Sequence, residues 1–78
     1  MKAKILVVED DAIAQLTVNA FLKNFGYENP IIVDNSIDAF KIIKSEKIDL
    51  ILMDIFIKGE LDGIQTTEKI NKFADIPV

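Results

Sequence analysis

The sequence contains neither cysteine nor histidine in its 78 residues. Their absence removes disulfides, thiolate and imidazole metal sites, and Cys–His or Ser–His nucleophilic catalysis. Any metal must therefore be a hard cation held by oxygen. No apolar run approaches the roughly 20 residues of a membrane span, and the N-terminus, though it carries Lys2 and Lys4, has no long apolar stretch or small-residue cleavage site. Neither insertion nor secretion is indicated, so a cytoplasmic protein is expected. There is no internal repeat, low-complexity tract or Gly/Ser linker, and the chain reads as one unit, or part of one. Nine basic residues against 13 acidic ones leave a net charge of −4, which does not suit a surface built for the phosphates of nucleic acid.

What is present is apolar and patterned. Half the residues are hydrophobic, enough for the core of one small domain. Two apolar runs end in acid: Lys4-Ile5-Leu6-Val7-Val8 leads into Glu9-Asp10-Asp11, and Leu50-Ile51-Leu52-Met53 leads into Asp54. Short, partly β-branched and uninterrupted by polar residues, such runs read as strands covered on both faces of a parallel sheet. Open α/β sheets bind ligands just outside the carboxyl ends of their strands, which is where these acids fall.

Between the two runs, Asp11 is placed to cap a helix over residues 12–25, with Ile13, Leu16 and Ala20 on one inward stripe and Val18, Leu22 and Phe25 on its neighbour. Gly26 supplies the left-handed residue that ends it, and a short strand follows at 31–33. Ser36 is read as the cap of a second helix running to about residue 47, with Ala39, Phe40 and Ile43 inward and Asp38 in the first turn. Asp49 opens the third strand. Past Asp54 comes a glycine-containing loop, and Asp62-Gly63 starts a third helix whose Ile64, Thr67, Ile70 and Phe73 recur at helical spacing. Ile76-Pro77-Val78 reads as the opening of a fourth strand.

The order β-α-β-α-β-α-β with right-handed crossovers predicts an α/β doubly wound parallel sheet of flavodoxin-like type, present only as far as the start of the fourth strand. In that topology the first and third strands are neighbours, which brings Asp54 beside Glu9 and Asp10. Three converging carboxylates repel, and either protonation or a cation relieves them. Mg²⁺ suits the place, because it takes oxygen ligands and leaves positions for phosphate oxygens. Each acid alone has a plainer reading: an Asp after a strand is more often a cap or a solvated loop residue, which is the preferred reading of Asp11 and an even one for Glu9 or Asp10. For Asp54 that reading is weaker, since Asp62 is available to cap the next helix.

The segments Ile5-Leu6-Val7-Val8-Glu9-Asp10-Asp11 and Asp49-Leu50-Ile51-Leu52-Met53-Asp54-Ile55, followed by Leu61-Asp62-Gly63-Ile64, resemble the receiver domain of two-component response regulators. The resemblance runs from residue 3 to 78. It implies a phosphorelay module rather than an enzyme, with Asp54 as phosphoacceptor and Glu9 and Asp10 as the acidic pair on Mg²⁺. The Phe56 backbone carbonyl would be a further metal ligand. The implied donor is a phosphohistidine on a sensor histidine kinase or a small acyl phosphate, and another receiver or an effector protein is the implied downstream partner. Direct contact with nucleic acid or membrane is not expected.

This chain departs from the family pattern in three ways. Lys58 stands where a proline is common, in a Lys58-Gly59-Glu60 loop one residue longer than the commonest form; a phosphate contact by Lys58 is weighed against simple solvation. The family's fourth-strand Ser/Thr, fifth-strand aromatic and Lys, and last two helices have no counterpart, so residues 1–78 read as a receiver-like domain lacking its C-terminal part. A third strand with only a stub beside it leaves an apolar edge. Alternative readings are a truncated, non-phosphorylated pseudo-receiver acting as an interaction fragment through its first helix, and an aspartyl phosphatase, disfavoured because position 56 is Phe rather than the second Asp of an Asp-x-Asp arrangement. A nucleotide-binding domain is disfavoured because the turn after the first strand is acidic and lacks a glycine loop. The isolated chain is expected to be unstable or to associate through the open edge; a sharp, reversible two-state melt of a species that sediments as monomer would count against this.

Overall fold

The computed structural model describes residues 3–57, 59 and 61–78. The elements run β1 (Ile5–Val8), α1 (Ala12–Asn24), β2 (Ile31–Val33), α2 (Ser36–Ser45), β3 (Leu50–Met53) and α3 (Gly63–Phe73). The three strands form one parallel sheet in the order β2-β1-β3, as the doubly wound reading requires. β1 is central and all four of its residues are buried. Alternation along the strand divides them between two cores. Leu6 and Val8 join Ile51, Ala39, Ile48, Ile57 and Ile70 beneath α2 and α3, while Ile5 and Val7 join Leu22, Val18, Tyr27, Ile32 and Leu50 on the α1 side. No helix among the described residues is long and apolar enough to cross a membrane.

Helix α1 begins where expected: Asp11 accepts a hydrogen bond from the Ala14 amide at 2.8 Å. It ends at Phe25, followed by Gly26 at φ 96°. Its inward face is narrower than the sequence suggested. Val18 and Leu22, one turn apart, take the contact with the sheet, whereas Ile13 and Leu16 are 75% and 71% exposed and Ala20 is also exposed. At 100° per residue, those three lie on the side of the cylinder opposite Leu22, and a helix on a sheet buries one side only. Phe25 points outward as well, edge-on to Phe21 with ring centroids 4.8 Å apart.

The cap of α2 lies one residue earlier than expected. Asn35, in extended conformation, accepts from the Asp38 amide at 2.9 Å, so Ser36 is the first helical residue and is buried. The shift sets the phase that turns Ala39 fully into the core, with Phe40 and Ile43 partly buried beside it. The helix stops at Ser45 because Glu46 is extended. Asp49 precedes β3 rather than opening it, and its carboxylate accepts from the Lys4 amide at 2.7 Å.

Helix α3 carries a full capping box, with the Asp62 carboxylate accepting from the Gln65 amide and the Gln65 side chain accepting from the Asp62 amide. Its buried residues are Gly63, Thr66 and Ile70, whereas Ile64 is exposed and Phe73 lies across the Phe40 ring with Lys44 Nζ 5.5 Å from its centroid. The phase is set by Gly63, which packs directly on the Asp54–Ile55 backbone and whose amide donates to the Ile55 carbonyl at 2.7 Å. Residues three and seven further on then face the sheet. Among the described residues the expected fourth strand is represented by one ladder contact, from the Ile51 amide to the Pro77 carbonyl at 2.9 Å.

A Cβ on Gly63 would stand 2.7 Å from the Asp54 carbonyl carbon and from Ile55 Cα, and closer still to the Asp54 carbonyl oxygen, all of them backbone atoms. Gly63→Ala is therefore expected to destabilise the chain by about 1–3 kcal/mol, read as a lower urea midpoint at unchanged slope; an unaltered midpoint would show that α3 can slide without cost.

Candidate functional site

The site is built by the register of two strands. Val8 pairs with Met53, and the ladder continues one step past both ends: the Asp54 amide donates to the Val8 carbonyl at 3.0 Å, and the Glu9 amide donates to the Val33 carbonyl of β2 at 2.9 Å. The residues that follow β1 and β3 thus emerge side by side at the carboxyl edge of the sheet. One carboxylate oxygen from each of Glu9, Asp10 and Asp54 lies within 4.8 Å of the others. Glu9 and Asp54 are half-buried and Asp10 is exposed.

Local hydrogen bonds hold the cluster. The Glu9 carboxylate accepts from the Asp11 amide at 3.1 Å, the Glu9 carbonyl accepts from the Gln15 side-chain amide at 2.6 Å, and Asp54 Oδ1 accepts from the Phe56 amide at 3.2 Å. Asp11, the fourth acid of the neighbourhood, is used as the α1 cap, as read from the sequence. The Phe56 ring is exposed. Lys58 lies outside the described residues. Among the described residues the one ion pair, Lys4 with Glu46 at 4.0 Å, is at the other end of the sheet.

Burial and the neighbouring acids both act on Glu9. Its carboxyl is raised above the ordinary value, first by desolvation and then by a proton-mediated hydrogen bond to Asp54 and the charges of Asp54 and Asp10; the Asp11 amide opposes the shift. The donor set is all oxygen, anionic and partly exposed, with room for solvent on the Asp10 side. Such a set fits a hard divalent cation that keeps part of its water shell, and the residues that would hold it are Glu9, Asp10 and Asp54.

The arrangement is a doubly wound α/β sheet with an acidic cluster at the carboxyl ends of its first and third strands, the place where open α/β sheets bind ligands. Comparison with known proteins narrows this to one family. The family model for the response regulator receiver domain matches residues 5–78, and the chain belongs to that family. Protein PilH of Pseudomonas aeruginosa is 34% identical over 79 residues, which take in 97% of this chain and 64% of PilH. A probable histidine kinase 1 of Oryza sativa subsp. indica is 38% identical over 74 residues, 95% of this chain and 7% of the rice protein. Among solved structures, a mutant MaeR response regulator bound to sulfate superimposes with a TM-score of 0.90 at 26% identity, covering all of this chain and 65% of MaeR. MaeR bound to beryllium trifluoride gives 0.82 at 30% identity, over 91% of this chain and 58% of that one. The chain spans less than two thirds of the length of each of these proteins.

The sequence pattern anticipated all three clustered acids and the Asp11 cap. It gave no sign of Gln15, whose amide reaches back over the first turn of α1 to the acidic loop, because a glutamine in the first turns of a helix is ordinarily a solvated residue. It identified Gly63 as part of a motif, but not as the point where α3 rests on the Asp54 peptide.

In the metal-free chain, Glu9→Gln should raise stability at neutral pH by on the order of 1 kcal/mol or less, because it removes one of three mutually repelling charges at a partly solvated site. The sign follows from the raised carboxyl: ionised Glu9 is disfavoured in the folded state, so wild-type stability from this group is greatest below its unfolded value and falls as pH rises through the folded one. The advantage of the Gln variant should accordingly shrink towards pH 4 in urea titrations; an advantage constant with pH would contradict this.

Proposed function

We propose that this receiver-family chain accepts a phosphoryl group on Asp54 with the help of Mg²⁺ held by Glu9, Asp10, Asp54 and the Phe56 backbone carbonyl. The observation that carries the reading is the convergence of the three carboxylates at one sheet edge. The donor is a phosphohistidine of a sensor histidine kinase, or a small acyl phosphate, and the output passes to another receiver or an effector protein. An Asp54 carboxylate oxygen attacks phosphorus and the bond from phosphorus to the donor's imidazole nitrogen breaks. The electron pair leaves with the ring, which takes up a proton. Mg²⁺ held by Glu9, Asp10 and Asp54 would supply positive charge to offset that of the carboxylate and the phosphoryl oxygens.

The chain's own groups prepare Asp54 for this role. Its backbone is fixed by the bond to Val8 and by Gly63 beneath it, and one carboxylate oxygen is engaged by the Phe56 amide, which orients the group. The raised Glu9 carboxyl means that protons compete with a cation for the same oxygens, so metal affinity rises with pH as Glu9 ionises. A relative named as a histidine kinase and solved structures named as response regulators support a phosphorelay setting.

A second reading is favoured by one observation, the outward apolar stripe of Ile13, Leu16 and Ala20 on α1. It takes the chain as a non-phosphorylated interaction piece that docks on a kinase or receiver through that helix.

One variant separates the two. Incubated with acetyl phosphate and Mg²⁺, wild type should form an acid-stable, base-labile aspartyl phosphate that Asp54→Asn does not form, and chelation of the metal should lower the yield by about tenfold or more. Label persisting in the variant would remove Asp54 from the role, whereas partner binding unchanged in Asp54→Asn without Mg²⁺ would favour docking alone.

A further inference from the structure

The side chain of Gln15 belongs to no part of the acidic cluster, yet it makes the shortest hydrogen bond in the neighbourhood. Its Nε2 donates to the Glu9 carbonyl at 2.6 Å from the fourth residue of α1, at a half-buried position. A carbonyl can only accept, so the amide's orientation is settled by its partner. From this contact we infer that Gln15 is a positioning residue for the acidic cluster: by holding the Glu9 carbonyl it fixes the direction in which the Asp10 carboxylate is presented to Asp54. The inference rests on the metal-site reading of Glu9, Asp10 and Asp54.

Two of the three acids have restraints of their own. Glu9 is held by its amide on Val33 and by its carboxylate on the Asp11 amide. Asp54 is held by its amide on Val8 and by the Phe56 amide on its carboxylate. Among the described residues no hydrogen bond reaches the carboxylate of Asp10, which is exposed. Its direction is therefore inherited from the backbone. The Glu9 carbonyl belongs to the peptide joining Glu9 to Asp10, and because that unit is planar, restraining its oxygen restrains the nitrogen and Cα of Asp10 as well. Gln15 is thus the one side chain that reaches this peptide from α1. The helix itself is anchored to the same turn, since the Gln15 amide donates to the Asp11 carbonyl at 2.9 Å. Two bonds from one residue tie helix and acidic loop into a single unit. Outer-sphere bonds of this kind organise ligands before a metal arrives, and losing one weakens the site without removing a ligand.

Three variants of the 78-residue chain test this. Gln15→Met keeps the length of the side chain and the neutral charge but removes the donor. Gln15→Arg restores N–H donors while adding a positive charge that repels a cation. In amide NMR titrations, Gln15→Met should weaken Mg²⁺ binding about three- to tenfold relative to wild type, and Gln15→Arg should bind more tightly than Gln15→Met despite its charge. In metal-free spectra, Gln15→Met should shift the Asp10 and Asp11 amides and speed their hydrogen exchange while leaving those of Ile31 to Val33 unchanged. Wild-type affinity and wild-type loop spectra in Gln15→Met, or weaker binding by the Arg variant than by the Met variant, would overturn the assignment. If wild type itself shows no magnesium-dependent shifts, the metal reading fails separately, and the metal-free comparison decides whether Gln15 sets the loop. Should Gln15→Met fail to fold, Gln15→Ala removes the donor without a long apolar chain and is read in the same way.

Discussion

The parallel pairing of β1 with β3, with Val8 opposite Met53, is the constraint on which everything else depends. A one-residue slip would exchange the two faces of β1, moving Leu6 and Val8 away from Ile51 and Ile70 and placing Ile5 and Val7 there instead. The same slip would carry Asp54 away from Glu9 by one strand residue, about 3.3 Å. Packing and chemistry are therefore specified by one register. The apolar cores on both faces hold the acids opposite one another, and the raised carboxyl of Glu9 reflects its desolvation there first and the neighbouring charges second.

Backbone rather than side-chain pairing does most of the local holding. Glu9 and Asp54 extend the sheet's ladder by one bond each, Asp11 closes the first turn of α1, and the Phe56 and Asp11 amides each engage a carboxylate. Amides supply direction without full charge, so they orient the carboxylates yet leave them anionic and available to a cation. The acids divide by position: Asp11 and Asp62 cap helices, and the carboxylates of Glu9, Asp10 and Asp54 gather at the sheet edge.

How far the sequence could be read follows from which signals are local. Strand positions, the Asp11 and Asp62 caps and the Gly26 terminus depend on neighbours in the chain, and the acids at the strand ends became a cluster once the topology was assigned. Helix phase was harder. The apolar residues of α1 wrap more than one face, so periodicity could not separate Val18 and Leu22, which meet the sheet, from Ile13 and Leu16, which do not. For α3 the decisive residue was Gly63, whose lack of a side chain lets the helix rest on the Asp54 peptide and turns Thr66 and Ile70 inward instead of Ile64 and Phe73. Asn35 and Ser36 are both good caps, and only the demand that Ala39 reach the core chooses between them. Gln15 was invisible because its partner is a backbone carbonyl in the turn before the helix.

The bond from the Gly63 amide to the Ile55 carbonyl also has an evolutionary meaning. It clasps the two ends of the segment between Ile55 and Gly63, so closure of that loop is secured at its base, together with the burial of Ile57 in the core. Lengthening a clasped loop costs little, roughly 0.6 kcal/mol for each doubling. A change of length between the clasped residues can therefore be absorbed while Asp54 stays where it is. The clasp leaves the length of that segment free to vary and keeps the floor of the site fixed.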